Sequence, residues 1–142
     1  MTEHLPDEDT IFELLQALHK GISPKFERCA GITPTRFRLL QELFHLSEIS
    51  QISLQKTLDI DAAAVTRHLR GLEESGMIAR RNNPADNRVT LVSLTEHGRE
   101  HINSYREEKI RFIHNLLTGF NGQERTELAE MLTRLQYNIN LL

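Results

Sequence analysis

The sequence predicts a mainly α-helical fold that includes one small β-hairpin. Residues 53–94 hold two short amphipathic segments separated by a tight turn, followed by two β-prone runs around a polar loop. Apolar residues also recur at helical spacing near both ends of the chain. These observations favour a winged helix-turn-helix part at 34–94, flanked by N- and C-terminal helical dimerisation parts at 7–28 and 95–142. The whole chain, 1–142, is predicted to form a single domain.

The first predicted helix runs from Asp7 to about Phe26. Apolar residues from Ile11 to Phe26 recur every three or four positions and form one stripe along it. Pro24 is expected to kink or end the helix, because proline lacks the amide hydrogen that a helix interior needs. Residues 29–31 are therefore predicted to be a connector.

Thr33 and Pro34 mark the start of a second helix, since threonine is a good N-cap and proline favours the first helical position. Its apolar stripe includes Phe37 and Phe44. The polar segment at 47–52 links this helix to the next one, and a short strand that pairs with the hairpin is expected within it.

Two short helices joined by a tight turn are predicted upstream of Gly76. Leu54 and Leu58 share one face of the first helix, and Asp59 occupies the turn, where such helix pairs often have glycine. Aspartate fits there because it tolerates the left-handed backbone. Asp61 is predicted to cap the second helix, and Gly76 to end it.

The second of these helices has two different faces. The inward stripe consists of Val65, Leu69 and Leu72. The opposite face begins with small residues and continues with charged ones: Ala63, Thr66, Arg67, Arg70 and Glu74. Small residues let the helix approach a base pair closely, and arginines can reach guanine edges or phosphates. Taken alone, a solvated face is the simpler interpretation, and the context favours a recognition helix.

The context is a predicted β-hairpin directly downstream. Residues 77–81 and 89–94 are β-prone, and they bracket the polar sequence NNPADNR, which is predicted to be the loop. A hairpin with a basic tip beside a recognition helix is a wing. The predicted contacts with duplex DNA are Ala63, Thr66, Arg67, Arg70 and Arg88.

Two further helices are predicted after the hairpin. The first runs from Thr95 to about Thr118, and residues 119–122 break it. Asn121 and Glu124 then form a capping box. Apolar residues of the last helix follow an a/d heptad pattern: Leu128, Leu132, Leu135, Ile139 and Leu142.

The apolar stripes near both ends of the chain predict a homodimer. The part between them is too small to cover both stripes, so helices of a second copy are expected to cover them. A twofold dimer of this kind presents two recognition helices about 34 Å apart, one turn of DNA.

Several motifs in this region resemble those of the MarR-type transcriptional regulators. They are Val-Thr-Arg at 65–67, Leu-Glu-Glu-Ser-Gly-Met-Ile at 72–78 followed by Arg80, and Asp-Asn-Arg at 86–88 with Leu-Thr at 94–95 and Gly98. Flanking helices of the expected lengths extend the resemblance over nearly the whole chain. Many members carry arginine where this chain has Asn87.

The resemblance implies how the wing works. Arg88 is expected to lie along or in the minor groove. Asp86 is expected to shape the wing, either by accepting hydrogen bonds within the loop or by pairing with an arginine such as Arg81. The resemblance also implies a small-molecule pocket between the dimer helices and the DNA-binding part, with His19, Arg38 and His45 as possible polar liners.

Composition and charge are compatible with this interpretation. The formal net charge is −3, yet residues 62–88 contain five arginines and three acidic residues, so the charge is segregated. The single cysteine excludes an internal disulfide framework. Residues 1–10 lack the basic region and apolar core of an export signal, so a cytoplasmic location is expected.

Other functions have weaker support. No motif for an enzyme is present, and no cofactor is expected. His97 and His101 have a spacing that can chelate zinc. The zinc ligands of related sensors would however fall on Phe37 and Arg38, so no metal site is assigned.

Thiol sensing is a further alternative. Peroxide-sensing relatives carry a reactive cysteine early in the first helix, where this chain has Ile11 and Phe12. The only cysteine is Cys29, and it is expected to be buried and inert, although the neighbouring Arg28 would favour its thiolate.

Together these observations predict a sequence-specific regulator of transcription, a repressor of the MarR type that binds a palindromic operator and is released by a small molecule or an oxidant. The alternatives are a zinc-responsive regulator and a protein-interaction module of the same fold without DNA binding.

Overall fold

The computed structural model describes residues 7–142 and confirms the predicted fold class. In this part of the chain the elements are α1 (Glu8–Ala30), α2 (Pro34–Phe44), β1 (Ile49–Ser50), α3 (Gln51–Leu58), α4 (Ala62–Glu74), β2 (Ile78–Asn83), β3 (Asp86–Leu94), α5 (Glu96–Leu116) and α6 (Gly122–Leu141). The chain divides into two compact units, one ending at Lys109 and the other spanning Ile110–Leu142.

Helix α1 is longer than its sequence predicts. Asp7 caps it by accepting a hydrogen bond from the Thr10 amide at 2.7 Å, and Gly31, with φ of 80°, ends it. The helix continues through Pro24 to Ala30, so the prediction that it ends near Phe26 is wrong. The burial of Phe26, only 4% exposed, holds the last turns in place. Cys29 consequently lies in the helix and not in a connector.

The core of the first unit surrounds α2. Phe37, Leu39, Leu40 and Leu43 are at most 1% exposed, whereas Phe44, predicted on the main stripe, is only half-buried. Helix α2 therefore buries more of its circumference than an amphipathic surface helix does. Buried apolar residues from the other elements complete this core: Leu54, Leu58, Val65, Leu69, Leu72, Ile78, Val92 and Ile102.

The three strands form an antiparallel sheet in the order β1-β3-β2. The expected short strand is present, because Ile49 pairs with Val92. The predicted seven-residue loop is wrong: β2 continues to Asn83 and β3 begins at Asp86, with a register shift next to Asn83. The Asn83 side-chain oxygen accepts a hydrogen bond from the Ala85 amide at 3.0 Å, which closes a tight turn and lets both strands extend.

The two last helices begin as their sequences predict. The Thr95 hydroxyl donates to the Gly76 carbonyl at 2.6 Å and accepts from the Gly98 amide at 3.0 Å, which fixes the start of α5. In the second unit, Asn121 and Glu124 form the capping box of α6. Among the described residues, no helix is long and apolar enough to cross a membrane.

Candidate DNA interface

Helices α3 and α4 form a helix-turn-helix whose turn depends on one residue. Asp59 adopts a left-handed backbone with φ of 50°, so aspartate takes the place that glycine often has in such turns. The Asp61 carboxylate then accepts a hydrogen bond from the Ala64 amide at 3.3 Å and caps α4. Gly76, with φ of 77°, ends the helix and directs the chain into β2.

The outer face of α4 consists of the residues that the sequence places there. Val65, Leu69 and Leu72 are buried against the core. This packing turns the opposite face to the surface, where the side chains are exposed: Ala63, Thr66, Arg67, Arg70 and Glu74. The structure thus brings four of the five proposed DNA contacts onto one face of one helix.

The fifth proposed contact, Arg88, lies on the wing beside that face. A cleft between α3, α4 and β3 is lined by Gln51, Thr66, Arg88 and Thr90, among others. The side chain of Arg88 is 90% exposed. A single cleft therefore includes the recognition helix and the wing, which is the arrangement needed to contact neighbouring grooves of one duplex.

Asp86 holds Arg88 in a defined geometry. Its carboxylate accepts hydrogen bonds from the Arg88 backbone amide at 3.1 Å and from two guanidinium nitrogens at 3.0 and 3.1 Å. The side-chain bonds to Arg88 lower the pKa of Asp86 below its ordinary value. The alternative pairing of Asp86 with Arg81 is not formed, because Arg81 binds Glu48 at 2.8 and 2.9 Å.

Internal ion pairs occupy several of the arginines around α4. Arg80 binds Glu73 at 3.1 Å, Arg81 binds Glu48, and Arg88 binds Asp86. Within residues 7–142, Arg67 and Arg70 have no carboxylate partner. Of the five arginines on α4 and the wing, the two without a carboxylate partner are therefore the two on the exposed face of α4.

Two side chains at this site escaped the sequence analysis. The Gln51 amide donates to the Thr66 hydroxyl at 3.2 Å, across the helix-turn-helix. Arg36 of α2 donates to His68 Nδ1 at 3.3 Å, and its guanidinium covers Gly71 so closely that an added Cβ would lie 2.5 Å away. These contacts join residues 15 and 32 positions apart, and no periodicity or motif could have indicated them.

The hydrogen bond between Arg36 and His68, which joins α2 to α4, depends on the protonation state of His68. Burial lowers the pKa of His68, and the neighbouring charges of Arg36 and Arg67 lower it further. Because His68 Nδ1 accepts the hydrogen bond from Arg36, the imidazole is neutral in this arrangement. Protonation would remove that acceptor and place two cations side by side.

The residues considered for other functions are scattered. The rings of His97 and His101 lie 4.2 Å apart, but among residues 7–142 no group of three His, Cys, Asp or Glu side chains is placed to hold a metal ion. Cys29 is exposed, so the expectation of a buried thiol is wrong.

The three proposed pocket liners lie apart on the structure. His19 is exposed on α1, Arg38 donates to the Leu58 carbonyl at 3.4 Å, and His45 packs edge-on against Phe44. His19 lines a cleft on α1 together with Gln16, Lys20 and Pro24, and neither Arg38 nor His45 lines that cleft.

The fold and this interface define the class of the protein, a winged helix-turn-helix of the kind that reads duplex DNA. The MarR family model matches residues 32–90. An uncharacterized HTH-type transcriptional regulator of Bacillus subtilis, YdgJ, is 49% identical over 134 residues, which cover 94% of this chain and 82% of that protein. The chain therefore belongs to the MarR family, and the prediction of a DNA-binding transcriptional regulator is confirmed.

Solved structures agree with this assignment. A probable transcriptional regulator from Pseudomonas aeruginosa is 27% identical and superposes with a TM-score of 0.79, covering 90% of this chain and 98% of that one. A mutant MarR from E. coli complexed with operator DNA is 23% identical, with a TM-score of 0.75 and coverage of 88% and 92%. The second likeness shows that the fold is shared.

Proposed function

We propose that this chain forms a homodimer that binds a palindromic operator in duplex DNA and represses transcription. Helix α4 enters the major groove, where Ala63, Thr66, Arg67 and Arg70 face base edges and phosphates. Arg88 on the wing lies along the adjacent minor groove. The protein acts by occupying DNA and not by catalysis.

One observation carries this proposal: the exposed face of α4 and the wing border the same cleft, and of the five arginines on α4 and the wing, the two without a carboxylate partner lie on that face. Thr66 and Arg88 both line the cleft, and Arg67 and Arg70 are not neutralised within residues 7–142. Cations without internal partners are available to phosphates and guanine edges. A protein-interaction module has no need of such a face.

The homodimer is supported by apolar surface that one copy leaves uncovered. On α1, Phe12 is 62% and Leu18 is 51% exposed. In the second unit no residue of α6 is buried, and Leu132 and Ile139 are 46% and 67% exposed. Contiguous apolar surface of this kind marks an interface. Regulators of this family are dimers, which supports a second copy as the partner.

Release by a small molecule is part of the same proposal. The Phe44 ring lies below the guanidiniums of Arg99 and Arg106, at 5.5 and 4.6 Å, and Lys109 lies 5.6 Å from the Phe37 ring. Cations combined with aromatic faces suit an anionic aromatic effector. Its binding would favour a spacing of the two DNA-binding parts that no longer matches the groove register.

The test is operator binding by Arg67→Ala. The operator is selected from a random duplex pool with the wild-type protein, and affinity is measured by titration. Loss of one good base contact costs about 1–3 kcal/mol of binding free energy, while thermal stability is unchanged because Arg67 is exposed.

Arg28→Ala is the matched control, since it removes an exposed arginine near the end of α1. Unchanged operator affinity of Arg67→Ala would show that this face of α4 is not the reading face. If the wild-type protein selects no duplex at all, operator binding is refuted. The alternative, a protein-interaction module of the same fold, is then favoured.

A further inference from the structure

We infer that Thr66 recognises the methyl group of a thymine in each operator half-site, and that Gln51 positions it for this contact. The inference rests on the proposed function, because it assumes that α4 lies in the major groove. It adds one base identity to that function and assigns a role to a residue of α3.

The Thr66 hydroxyl already makes two hydrogen bonds within the protein, so its capacity to bond a base is reduced. A threonine hydroxyl has one proton to donate and two lone pairs to accept with. The proton goes to the Ala62 carbonyl at 3.0 Å, and one lone pair accepts from Gln51 Nε2 at 3.2 Å. The hydroxyl thus cannot donate to guanine, to adenine N7 or to thymine O4. What this exposed side chain can still offer a base is one lone pair, which could accept only from adenine N6 or cytosine N4, and its methyl group.

Gln51 fixes where that methyl group is. A threonine in a helix divides between two rotamers, because its hydroxyl can reach the carbonyl one turn back from either. The amide of Gln51 donates from one side and selects the rotamer that meets it. The methyl group is then held in one position before DNA arrives, which reduces the entropy lost on binding.

The surroundings of Thr66 suit an apolar group of that size. Ile52 and Ala62 line the same cleft, and Ile52 is 60% exposed. The neighbouring Ala63 is small enough for the helix to approach a base pair closely. In the major groove the C5 methyl of thymine is the only apolar group, so a threonine methyl with apolar neighbours matches thymine and no other base.

The experiment replaces thymine by deoxyuridine, which removes the methyl and keeps the base pairing. In the selected duplex, each thymidine of one half-site is replaced in turn, and the affinity of the wild-type protein is measured. One position should weaken binding about fourfold, the equilibrium factor for burying one methyl group at about 0.8 kcal/mol. If no position has this effect, the inference is overturned.

Two variants connect that position to Thr66. Thr66→Ser keeps the hydroxyl and lacks the methyl, so its affinities for the thymine and uracil duplexes should be equal. Thr66→Val keeps a methyl in its preferred helical rotamer, so the fourfold difference should remain. A difference that persists in serine or disappears in valine would overturn the inference. Thr133→Ser is the control, because that exposed hydroxyl also donates to the carbonyl four residues back, at 2.7 Å.

Gln51→Met tests the positioning role. Methionine keeps the length of the side chain and lacks the amide donor, so the ratio of thymine to uracil affinity should decrease toward one while the salt dependence of binding is unchanged. An unchanged ratio would remove Gln51 from the mechanism. If the wild-type protein selects no duplex, the proposed function itself fails, whereas binding without a Thr66-dependent thymine refutes this inference alone.

Discussion

Gly98 occupies a position at which the fold cannot accommodate any side chain. It is buried in the first turn of α5, where an added Cβ would overlap the Met77 carbonyl oxygen and lie 2.8 Å from Leu94 Cδ1. The Met77 carbonyl already accepts a hydrogen bond from the Thr95 amide at 3.0 Å, so it cannot move away freely. We expect Gly98→Ala to lower the free energy of unfolding by about 1–3 kcal/mol, measured by denaturant titration.

Gly21→Ala is the matched control for this prediction. Gly21 lies inside α1, and within residues 7–142 an added Cβ would have no atom within 4 Å apart from its chain neighbours and the helix's own backbone. Alanine favours a helix by up to about 1 kcal/mol over glycine, so this variant should be at least as stable as the wild-type protein. Equal stability of the two variants would show that the start of α5 tolerates a side chain.

His68 should make stability decrease in mild acid. Its pKa lies below the ordinary 6.5 in the folded protein, first because of burial and then because of Arg36 and Arg67. Below about pH 6.5 the unfolded chain therefore binds a proton that the folded chain does not, and the free energy of unfolding decreases. Above that pH His68 is neutral in both the folded and the unfolded state, and its full contribution to the free energy of unfolding is present.

The measurement is the midpoint of thermal unfolding at about pH 7.5 and about pH 5.5. The decrease between them should be smaller in His68→Gln, whose amide oxygen can still accept the hydrogen bond from Arg36. His19→Gln makes the same change on the exposed surface of α1. An equal decrease in wild type and His68→Gln would contradict this account.

Local patterns predicted the residues that face inward and outward on α4, because helical spacing alone determines which side chains share a face. The same reasoning missed Gln51 and Arg36. Their partners, Thr66 and His68, lie in another helix, and such contacts depend on how α2 and α3 pack against α4. Packing of that kind has no local sequence pattern.

At the scale of elements, the wing offers a separable test. If Arg88 meets a phosphate, Arg88→Ala should reduce the magnitude of the log–log salt slope by about 0.9 per subunit, because one fewer counterion is released. Most of the sequence preference should remain if α4 reads the bases, as proposed. Titration of the selected operator across a salt series is the measurement, and an unchanged slope would exclude Arg88 from the phosphate contacts.

Asp86 should matter through the shape of the wing. Asp86→Ala removes the acceptor of the Arg88 backbone amide, and binding should weaken even though a negative charge is lost. Asp86→Asn is the matched variant, because asparagine keeps an acceptor and removes the same charge. Asp86→Asn should therefore bind better than Asp86→Ala, and tighter binding by Asp86→Ala would show that charge repulsion outweighs structure.

The two wrong predictions about elements have a common cause. Proline and asparagine near the wing tip suggested a long loop, and Pro24 suggested the end of α1. In both places interactions that the local sequence does not reveal continue the element. The Asn83 side chain closes a two-residue turn, and the burial of Phe26 retains the last turns of α1.

At the scale of the whole molecule, the apolar seam of α6 should decide assembly. Leu135 is 36% exposed in one copy. Leu135→Asp places a charge in the seam, which should make the protein monomeric or unfold it. Thr133→Asp is the control, as an exposed position on the same helix outside the heptad pattern. Light scattering should give twice 16.4 kDa for the wild-type protein, and a mass of 16.4 kDa would refute the dimer.

The ion pairs around α4 have a consequence for how the protein would find its operator in a chromosome. Arg80, Arg81 and Arg88 each have a carboxylate beside them, so a random stretch of duplex must compete with that carboxylate for them. Among the arginines of α4 and the wing, Arg67 and Arg70 would be the ones available to brief encounters without such competition. Fewer phosphate contacts mean shorter dwell times and little sliding, so the search would proceed by frequent hops between distant segments. The genome as a whole would sequester few copies, and a small pool of protein could keep an operator occupied.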